Sequence, residues 1–259
     1  MADATIGTSA VPKIIHALWL QGVDAAPPLV KRNLRHWARL NPGYRINLLD
    51  RDDATRLLGA THLPIAGMRP QALADLVRMR LLLDQGGIWV DGSILPVRPL
   101  DDWLPQTLTP VGFFAFAKPG PDRPLSNWFL VSTAGNPILQ AWWDAALAFW
   151  TRPRRLVDGI PDDPVAAVAT EAARAADTYP YFWPHYLFQS LLEQRQDFAA
   201  LWAGCAPLSA DPPHAVNWLF TRQKRRPWWL QVLRAGNGTP LHKLDWRKRY
   251  PMRVLALLR

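Results

Sequence analysis

The chain has 259 residues, 49% of them hydrophobic, and a net charge of +9. This is enough apolar material for a full hydrophobic core, and we expect a single domain over residues 1–259. The single cysteine, Cys205, excludes an internal disulfide and a cysteine-based zinc site. Because no leader pattern and no long apolar run occurs, we expect a cytoplasmic protein without a membrane span.

Strand and helix patterns alternate at the start of the chain. The apolar run KIIHALWL, at 13–20, is typical of a parallel strand covered on both faces. Apolar positions among basic residues predict a helix over 28–40, and a second strand follows over 44–50. The next short helix is expected to be capped by Asp52 or Asp53.

The following helix has clear ends. Pro70 fits the first helical turn, and Gly86-Gly87 predict a left-handed exit into a strand over 88–90. This alternation predicts an α/β fold with a mostly parallel central sheet flanked by helices. In such sheets ligands bind beyond the carboxyl ends of the strands, which is where Asp91 lies.

The second half is irregular and rich in aromatic residues. Its patterns predict a strand over 127–132, a helix over 136–150 and another over 186–194. An alanine-rich stretch of helical character lies within 151–180. These patterns do not order the strands of this half.

The positive charge is concentrated at the C-terminus. Residues 1–219 hold 19 Lys and Arg against 20 Asp and Glu, whereas residues 220–259 hold 11 against one acidic residue. The basic segment is interleaved with Trp, Tyr and Leu, which favours contact with an anionic membrane surface. A solvated basic tail and, less favoured, nucleic acid binding are the alternatives.

Three polar residues near Gly86-Gly87 could form a site. Asp75 and Arg78, three apart on the predicted helix, share one face and form either a surface ion pair or part of that site. Asp91 could bind a cation, cap a turn or act as a base. From these residues alone the choice stays open.

The string LADLVRMRLLLDQGGIWVDGSI resembles the central motif of the capsular polysaccharide synthesis glycosyltransferases. It is more distantly similar to initiating mannosyltransferases and to the glucosyltransferase domain of large clostridial toxins. Further matches occur in the same order over about residues 11–247, namely PKIIHALWL, NPGYRINLLD, SNWFLVSTAGNP, YFWPHYLF and PLHKLDWR. The resemblance implies a GT-A type, Rossmann-like fold and a nucleotide-sugar donor.

The resemblance also implies donor-binding roles for Trp19, Asp75, Arg78, Trp89, Lys243 and Trp246. In that assignment Trp19 stacks on the nucleobase, uracil, and Trp89 lines the ribose side of the pocket. Asp75 and Arg78 hold the donor sugar and the diphosphate, over which Lys243 closes.

A metal site is implied as well. Asp91 would be the catalytic anchor of a divalent cation, Mn²⁺ or Mg²⁺, with Ser93 and His242 as further metal ligands. Ser93 stands where the wider pattern has a second Asp, which should weaken cation binding. Asn127 would orient the acceptor or stabilise the developing charge on the sugar. For His185 we expect a packing role.

The reaction implied is transfer of a sugar, UDP-linked in the donor, to a hydroxyl of a glycan or lipid-linked glycan, with retention of configuration. The diphosphate itself would help to deprotonate the acceptor. The two glutamates of the chain, Glu171 and Glu193, carry no motif and need not act as a base. We expect a role in capsule or cell-surface polysaccharide synthesis on the inner membrane face. A non-catalytic binding protein of the same fold is the alternative.

Overall fold

The computed structural model describes residues 10–156, 177–222, 238–251, 255–256 and 258. Its strands are β1 (Ile14–Leu18), β2 (Arg45–Leu49), β3 (Gly87–Val90), β4 (Ile94–Pro96), β5 (Phe113–Gly120), β6 (Arg123–Ser132), β7 (Arg155–Leu156), β8 (Thr178–Tyr179) and β9 (Leu241–Lys243). Its α-helices are α1 (Pro28–Leu40), α2 (Arg51–Gly59), α3 (Pro70–Gln85), α4 (Leu104–Thr107), α5 (Pro137–Phe149), α6 (Trp183–Gln194), α7 (Gln196–Ala203) and α8 (Asp211–Arg222). Short 3-10 helices lie at Val23–Ala25 and Leu100–Asp102.

A five-stranded sheet in the order β2-β1-β3-β6-β5 forms the centre of the fold. Strand β1 pairs in parallel with β2 and β3, whereas β6 is antiparallel to both β3 and β5. Four strands therefore run in one direction and β6 in the other, which confirms the predicted mostly parallel α/β sheet. Strands β4 and β9 form a separate antiparallel pair, and β7 pairs in parallel with β8.

Both faces of the central sheet are covered. Within β3, Trp89 belongs to the apolar cluster that includes α2, α3 and α5, while Ile88 and Val90 belong to the cluster that includes α1. This alternation follows from the two-residue period of a strand. It explains why all four residues of β3 are buried and why the sequence there is apolar without interruption.

The start of α2 differs from the prediction. The capping residue is Asp50, whose side chain accepts hydrogen bonds from the backbone nitrogens of Asp52, at 2.9 Å, and Asp53, at 3.0 Å. Asp53 returns the contact by accepting from the backbone nitrogen of Asp50 at 3.1 Å. The expected cap at Asp52 or Asp53 was therefore wrong, because β2 ends at Leu49 and leaves Asp50 free to begin the helix.

The turn between α3 and β3 requires both of its glycines. Gly86 and Gly87 have φ angles of 64° and 102°, in the region that favours glycine. A Cβ on Gly87 would lie 2.8 Å from the carbonyl oxygen of Ile14, and one on Gly86 would lie 2.7 Å from the backbone nitrogen of Ala134. The predicted left-handed exit is confirmed, and it lets α3 pass directly into the central strand.

The second half departs more from the sequence patterns. The hairpin of β5 and β6 was predicted only for its last six residues, and α6 begins at Trp183, three residues before the expected start. The alanine-rich stretch, at 157–176, lies outside the described residues, and so do residues 223–237 of the basic segment. For residues 220–222 only the backbone is described. Within the part of the chain that is described, no helix is long and apolar enough to cross a membrane.

Candidate active site

A cavity of about 660 Å³ opens at the carboxyl ends of β1 and β3. Trp19 follows β1 and Asp91 follows β3, so the parallel pairing of these strands brings both residues to one edge. Strand β6 runs the opposite way, and the backbone nitrogen of Asp91 donates to the carbonyl oxygen of Trp128 at 2.9 Å. The antiparallel direction of β6 therefore places its early residue Asn127 at the same edge.

Arg78 lines the cavity and contacts several of its polar groups. Its Nη1 is 3.3 Å from Oδ1 of Asp75, and its Nη2 is 3.4 Å from Oδ1 of Asp91. Nη1 also donates to the carbonyl oxygen of Asn127 at 2.7 Å, and the guanidinium lies 5.1 Å from the ring centre of Trp89. The side chains of Arg78 and Asp75 are 7% and 9% exposed, which rules out the alternative of a surface ion pair.

Lys243 contacts two of the residues that follow β3. Its Nζ is 2.8 Å from Oδ2 of Asp91 and donates to Oγ of Ser93 at 3.0 Å. The other carboxylate oxygen of Asp91 accepts from Nε1 of Trp89 at 3.2 Å. Burial alone would raise the pKa of Asp91, but the nearby cations Lys243 and Arg78 hold that pKa below its ordinary value. Asp91 is therefore an ion-pair partner and not a turn cap.

Asp75 also forms a hydrogen bond with Asn127. Nδ2 of Asn127 donates to Oδ1 of Asp75 at 2.8 Å. Burial raises the pKa of Asp75 to about 7, against the opposing effect of the Arg78 guanidinium, while the Asp91 carboxylate raises it further. The amide of Asn127 thus stabilises the charged form of Asp75.

These contacts join four groups of alternating charge, Asp75, Arg78, Asp91 and Lys243, which we call the charged row. The row begins on α3, crosses the end of β3 and finishes on β9. Its last member, Lys243, is 152 positions away from Asp91 in the sequence.

Two tryptophans lie together on the cavity wall. The rings of Trp19 and Trp246 are edge to face, with centroids 5.5 Å apart. Trp246 is 38% exposed, and the guanidinium of Arg247 lies 4.5 Å from its ring centre. An exposed aromatic ring of this kind offers a face to a planar ligand.

His242 is not brought to the cavity. Side chains alternate along β9, so the neighbour of Lys243 is directed away, and His242 is fully buried and absent from the described residues that line the cavity. Burial lowers the pKa of His242 to about 4, and neither ring nitrogen has a hydrogen-bond partner among the described residues. The predicted role of His242 as a metal ligand is therefore corrected to that of a buried core residue.

The remaining predicted ligands do not fit a divalent cation in this arrangement. Asp91 and Ser93 supply hard oxygens, but both are bound by the Lys243 ammonium. Within the described ranges there is also no cluster of three or more His, Cys, Asp or Glu side chains that could hold a metal ion. The Asp91 carboxylate and the Ser93 hydroxyl, which were expected to bind the cation, instead bind the ammonium of Lys243.

The wall of the cavity near α6 was largely missed by sequence reasoning. It includes Tyr181, Phe182 and His185, and the guanidinium of Arg123 lies 3.8 Å from the ring centre of Phe182. Burial, with Arg123 and Arg78 nearby, lowers the pKa of His185 to about 3. His185 thus combines the expected packing, 5.5 Å from the Phe182 ring, with a place in the cavity lining. The segment YFWPHYLF was the available signal, although beyond a packing role for His185 it indicated no roles.

Comparison with known proteins agrees with the motif. The profile of a family described as "capsular polysaccharide synthesis protein" matches residues 5–160. The O-glycosyltransferase braB of Annulohypoxylon truncatum is 29% identical over 53% of this chain and 38% of its own length. The O-glycosyltransferase PaGT of Phomopsis amygdali is 28% identical over 53% of this chain and 39% of its own. The matches thus span about two fifths of these relatives.

Among solved structures, the UDP-bound glycosyltransferase domain from the YGT toxin aligns with a TM-score of 0.45 at 9% identity, covering 96% of both chains.

Proposed function

Because the chain belongs to the capsular polysaccharide synthesis protein family, we propose that it is a glycosyltransferase that uses a nucleotide-sugar donor. The donor is UDP-linked, and the sugar passes to a hydroxyl of a glycan or lipid-linked glycan. The transfer retains the anomeric configuration and serves capsule or cell-surface polysaccharide synthesis. The family match and the relatives named as glycosyltransferases support the activity, while the donor, acceptor and stereochemistry extend the motif resemblance.

The observation that carries the proposal is the charged row beside an aromatic pair in one cavity. Arg78 and Lys243 flank Asp91 at 3.4 and 2.8 Å, so two cationic groups lie within one short stretch of wall. Trp19 and Trp246 offer rings on the same cavity wall. A nucleotide sugar has matching parts, namely a planar base and a doubly charged diphosphate.

Each polar group then has a task in the transfer. Arg78 and Lys243 bind the diphosphate and stabilise the negative charge that grows on it as the glycosidic bond breaks. Asp75 and Asn127, hydrogen-bonded at 2.8 Å, face the donor sugar. The leaving diphosphate accepts the proton of the incoming hydroxyl, so the chain supplies orientation and electrostatic stabilisation rather than a base. No step passes through a metal ion.

The wall near α6 provides a place for the acceptor. Tyr181 is 42% exposed, and its ring is 5.0 Å from that of Phe182. Aromatic faces pack against the apolar faces of sugar rings while polar edges stay hydrated. We assign the acceptor sugar to this wall.

We further propose that residues 220–259 hold the protein against the anionic inner face of a membrane. The support is the charge of this segment, with 11 basic residues against one acidic residue, and its interleaved aromatic and aliphatic residues. Binding to vesicles with and without anionic lipid tests this proposal, and equal binding to both would contradict it.

A donor screen tests the activity. The protein is incubated with several nucleotide sugars, with and without Mn²⁺ or Mg²⁺, and release of the nucleoside diphosphate is measured. We expect release from one donor class, UDP sugars, and a loss of at least about 100-fold in Asp91→Ala. Asp84→Ala, on the same chain segment but paired with Arg80 outside the cavity, serves as the control. Tight binding of a nucleotide sugar without any release would instead identify a non-catalytic binding protein.

A further inference from the structure

We propose that the ammonium of Lys243 is the built-in cation of the donor site and replaces a divalent metal ion there. This inference rests on the proposed function, because it concerns the charge that faces the donor diphosphate. It changes that function in one respect, since binding and transfer then proceed in the presence of a metal chelator.

The first support is that Lys243 uses the oxygens that a cation would need. Its Nζ lies 2.8 Å from Oδ2 of Asp91 and 3.0 Å from Oγ of Ser93. The second carboxylate oxygen of Asp91 faces Nε1 of Trp89 at 3.2 Å and a guanidinium nitrogen of Arg78 at 3.4 Å. Each oxygen of the Asp91 carboxylate thus already has a positively charged or N–H partner from the chain.

The second support is that the fold fixes the position of Lys243. Strand β9 pairs with β4 in a register that sets Lys243 opposite Ile94, and the nitrogen of Leu244 donates to the carbonyl oxygen of Ser93 at 3.3 Å. The side chain of Lys243 is 19% exposed. The ammonium is therefore placed beside Ser93 by backbone pairing and is not a surface side chain that happens to fold inward.

The third support is the balance of charge. A divalent cation at a phosphate site is held by one or two carboxylates together with the substrate phosphates, but the residues after β3 offer one carboxylate, Asp91, which is already paired with Lys243, and a neutral hydroxyl, Ser93. One ammonium neutralises one carboxylate. The only other acidic member of the charged row, Asp75, contacts Arg78 at 3.3 Å and is hydrogen-bonded to Asn127. Before the diphosphate binds, the row is thus neutral, with two carboxylates and two cationic side chains.

The incoming diphosphate would then bind the row directly. Its oxygens accept hydrogen bonds from the Lys243 ammonium, which has three donors, and from the Arg78 guanidinium on the other side of Asp91. Asp91 and Ser93 act as positioning residues that hold the ammonium at the phosphate. This role explains why a lysine, a hydroxyl and one carboxylate occur together.

The test measures binding of UDP and GDP by calorimetry, in EDTA and in excess Mn²⁺, for the full chain and two variants. Lys243→Met removes the charge but keeps an unbranched side chain. Lys13→Met is the matched control, because Lys13 also pairs with an aspartate at 2.8 Å but is 57% exposed and lies outside the cavity. Circular dichroism confirms that each variant is folded.

We expect Mn²⁺ to change the affinity of the unmodified protein for the nucleotide by less than about threefold. In EDTA, Lys243→Met should bind the nucleotide about 10- to 100-fold more weakly, because a charge-assisted hydrogen bond is lost. Lys13→Met should bind like the unmodified protein. A gain of tenfold or more with Mn²⁺ in the unmodified protein would overturn the inference and leave the proposed function standing, as would undiminished binding by Lys243→Met in EDTA. Failure to bind either nucleotide, with or without Mn²⁺, would overturn both.

A variant with a second carboxylate gives an independent readout. In Ser93→Asp/Lys243→Met the ammonium is gone and a second acidic ligand stands beside Asp91. We expect this protein to bind UDP at least about tenfold more tightly with Mn²⁺ than with EDTA, because the second carboxylate strengthens cation binding and the cation then supplies the positive charge that the diphosphate needs. An equal affinity in both conditions would show that Lys243 does not occupy a cation position.

Discussion

Replacing Arg78 tests the charged row most directly, because Arg78 joins both of its carboxylates. Arg78→Met leaves Asp75 and Asp91 without the guanidinium that lies 3.3 and 3.4 Å from them. Removing one partner of a buried ion pair costs about 3–5 kcal/mol of folding free energy. Part of that cost is relieved here, because protonation of Asp75, whose pKa is already raised to about 7, removes one unpaired charge. We therefore expect a loss near the lower end, about 3 kcal/mol.

Arg80→Met is the matched control on the same helix. Arg80 also pairs with an aspartate, Asp84, at 2.6 Å, and its guanidinium lies 5.7 Å from the ring centre of Trp143. The pair is 33% exposed, however, and lies outside the cavity, so its loss should cost about 1 kcal/mol or less. The two variants therefore compare the same chemical change at a buried and at an exposed position.

Urea unfolding gives the stability of both variants, and release of the nucleoside diphosphate gives their activity. Arg78→Met should also lower kcat by about 100- to 1,000-fold, since a cationic group at the leaving diphosphate is lost. Arg80→Met should keep the activity of the unmodified protein. If Arg78→Met is as stable as Arg80→Met, or retains full activity while folded, the charged row does not have the role assigned to it.

Three further predictions concern the frame, the pH dependence and the base-binding end of the site. Gly87→Ala should lower the free energy of unfolding, measured in urea, by about 1–3 kcal/mol. The reason is that Gly87 has a φ of 102° and that a Cβ there would lie 2.8 Å from a backbone oxygen of β1. Gly59→Ala is the control and should not destabilise the protein, because there is open space around Gly59. Burial lowers the pKa of His16 to about 4, so the neutral imidazole contributes fully to folding stability above pH 6.5, and this contribution is lost as the pH falls to about 4. The free energy of unfolding, measured in urea, should therefore drop by up to about 3 kcal/mol over that window. The drop should be smaller in His16→Gln. Trp246→Ala should raise the KM for the donor about tenfold with little change in kcat or in stability, and an unchanged KM would contradict its place at the base.

The elements with strong local signals were predicted closely. Helix α1 covers Pro28–Leu40, as its apolar spacing indicated, and α3 runs from Pro70 to Gln85, as its proline start indicated. The two glycines at 86 and 87 also behave as expected. Helix starts, helix ends and tight turns are determined by residues that are close together in the chain, so the sequence alone is enough to predict them.

The pairings that build the site have no such local signal. The antiparallel direction of β6 brings Asn127 to the carboxyl end of β3, and the sequence of 127–132 reads the same for either direction. Likewise, β9 reaches β4 across more than 140 residues, so nothing near Asp91 indicates that Lys243 is its partner. The motif resemblance placed Lys243 near the diphosphate but did not pair it with Asp91 and Ser93.

The metal-ligand role predicted for His242 was wrong, although its neighbour Lys243 does line the cavity. The resemblance offered both His242 and Lys243, and a histidine is the more usual metal ligand of the two. In a strand, however, two successive side chains point to opposite faces, so β9 can direct only one of them into the cavity. The register of β9 with β4 directs Lys243 inward, where its ammonium reaches Asp91, and sends His242 into the core with a pKa lowered to about 4. One strand register thus removes a metal ligand from the site and supplies a cation to it.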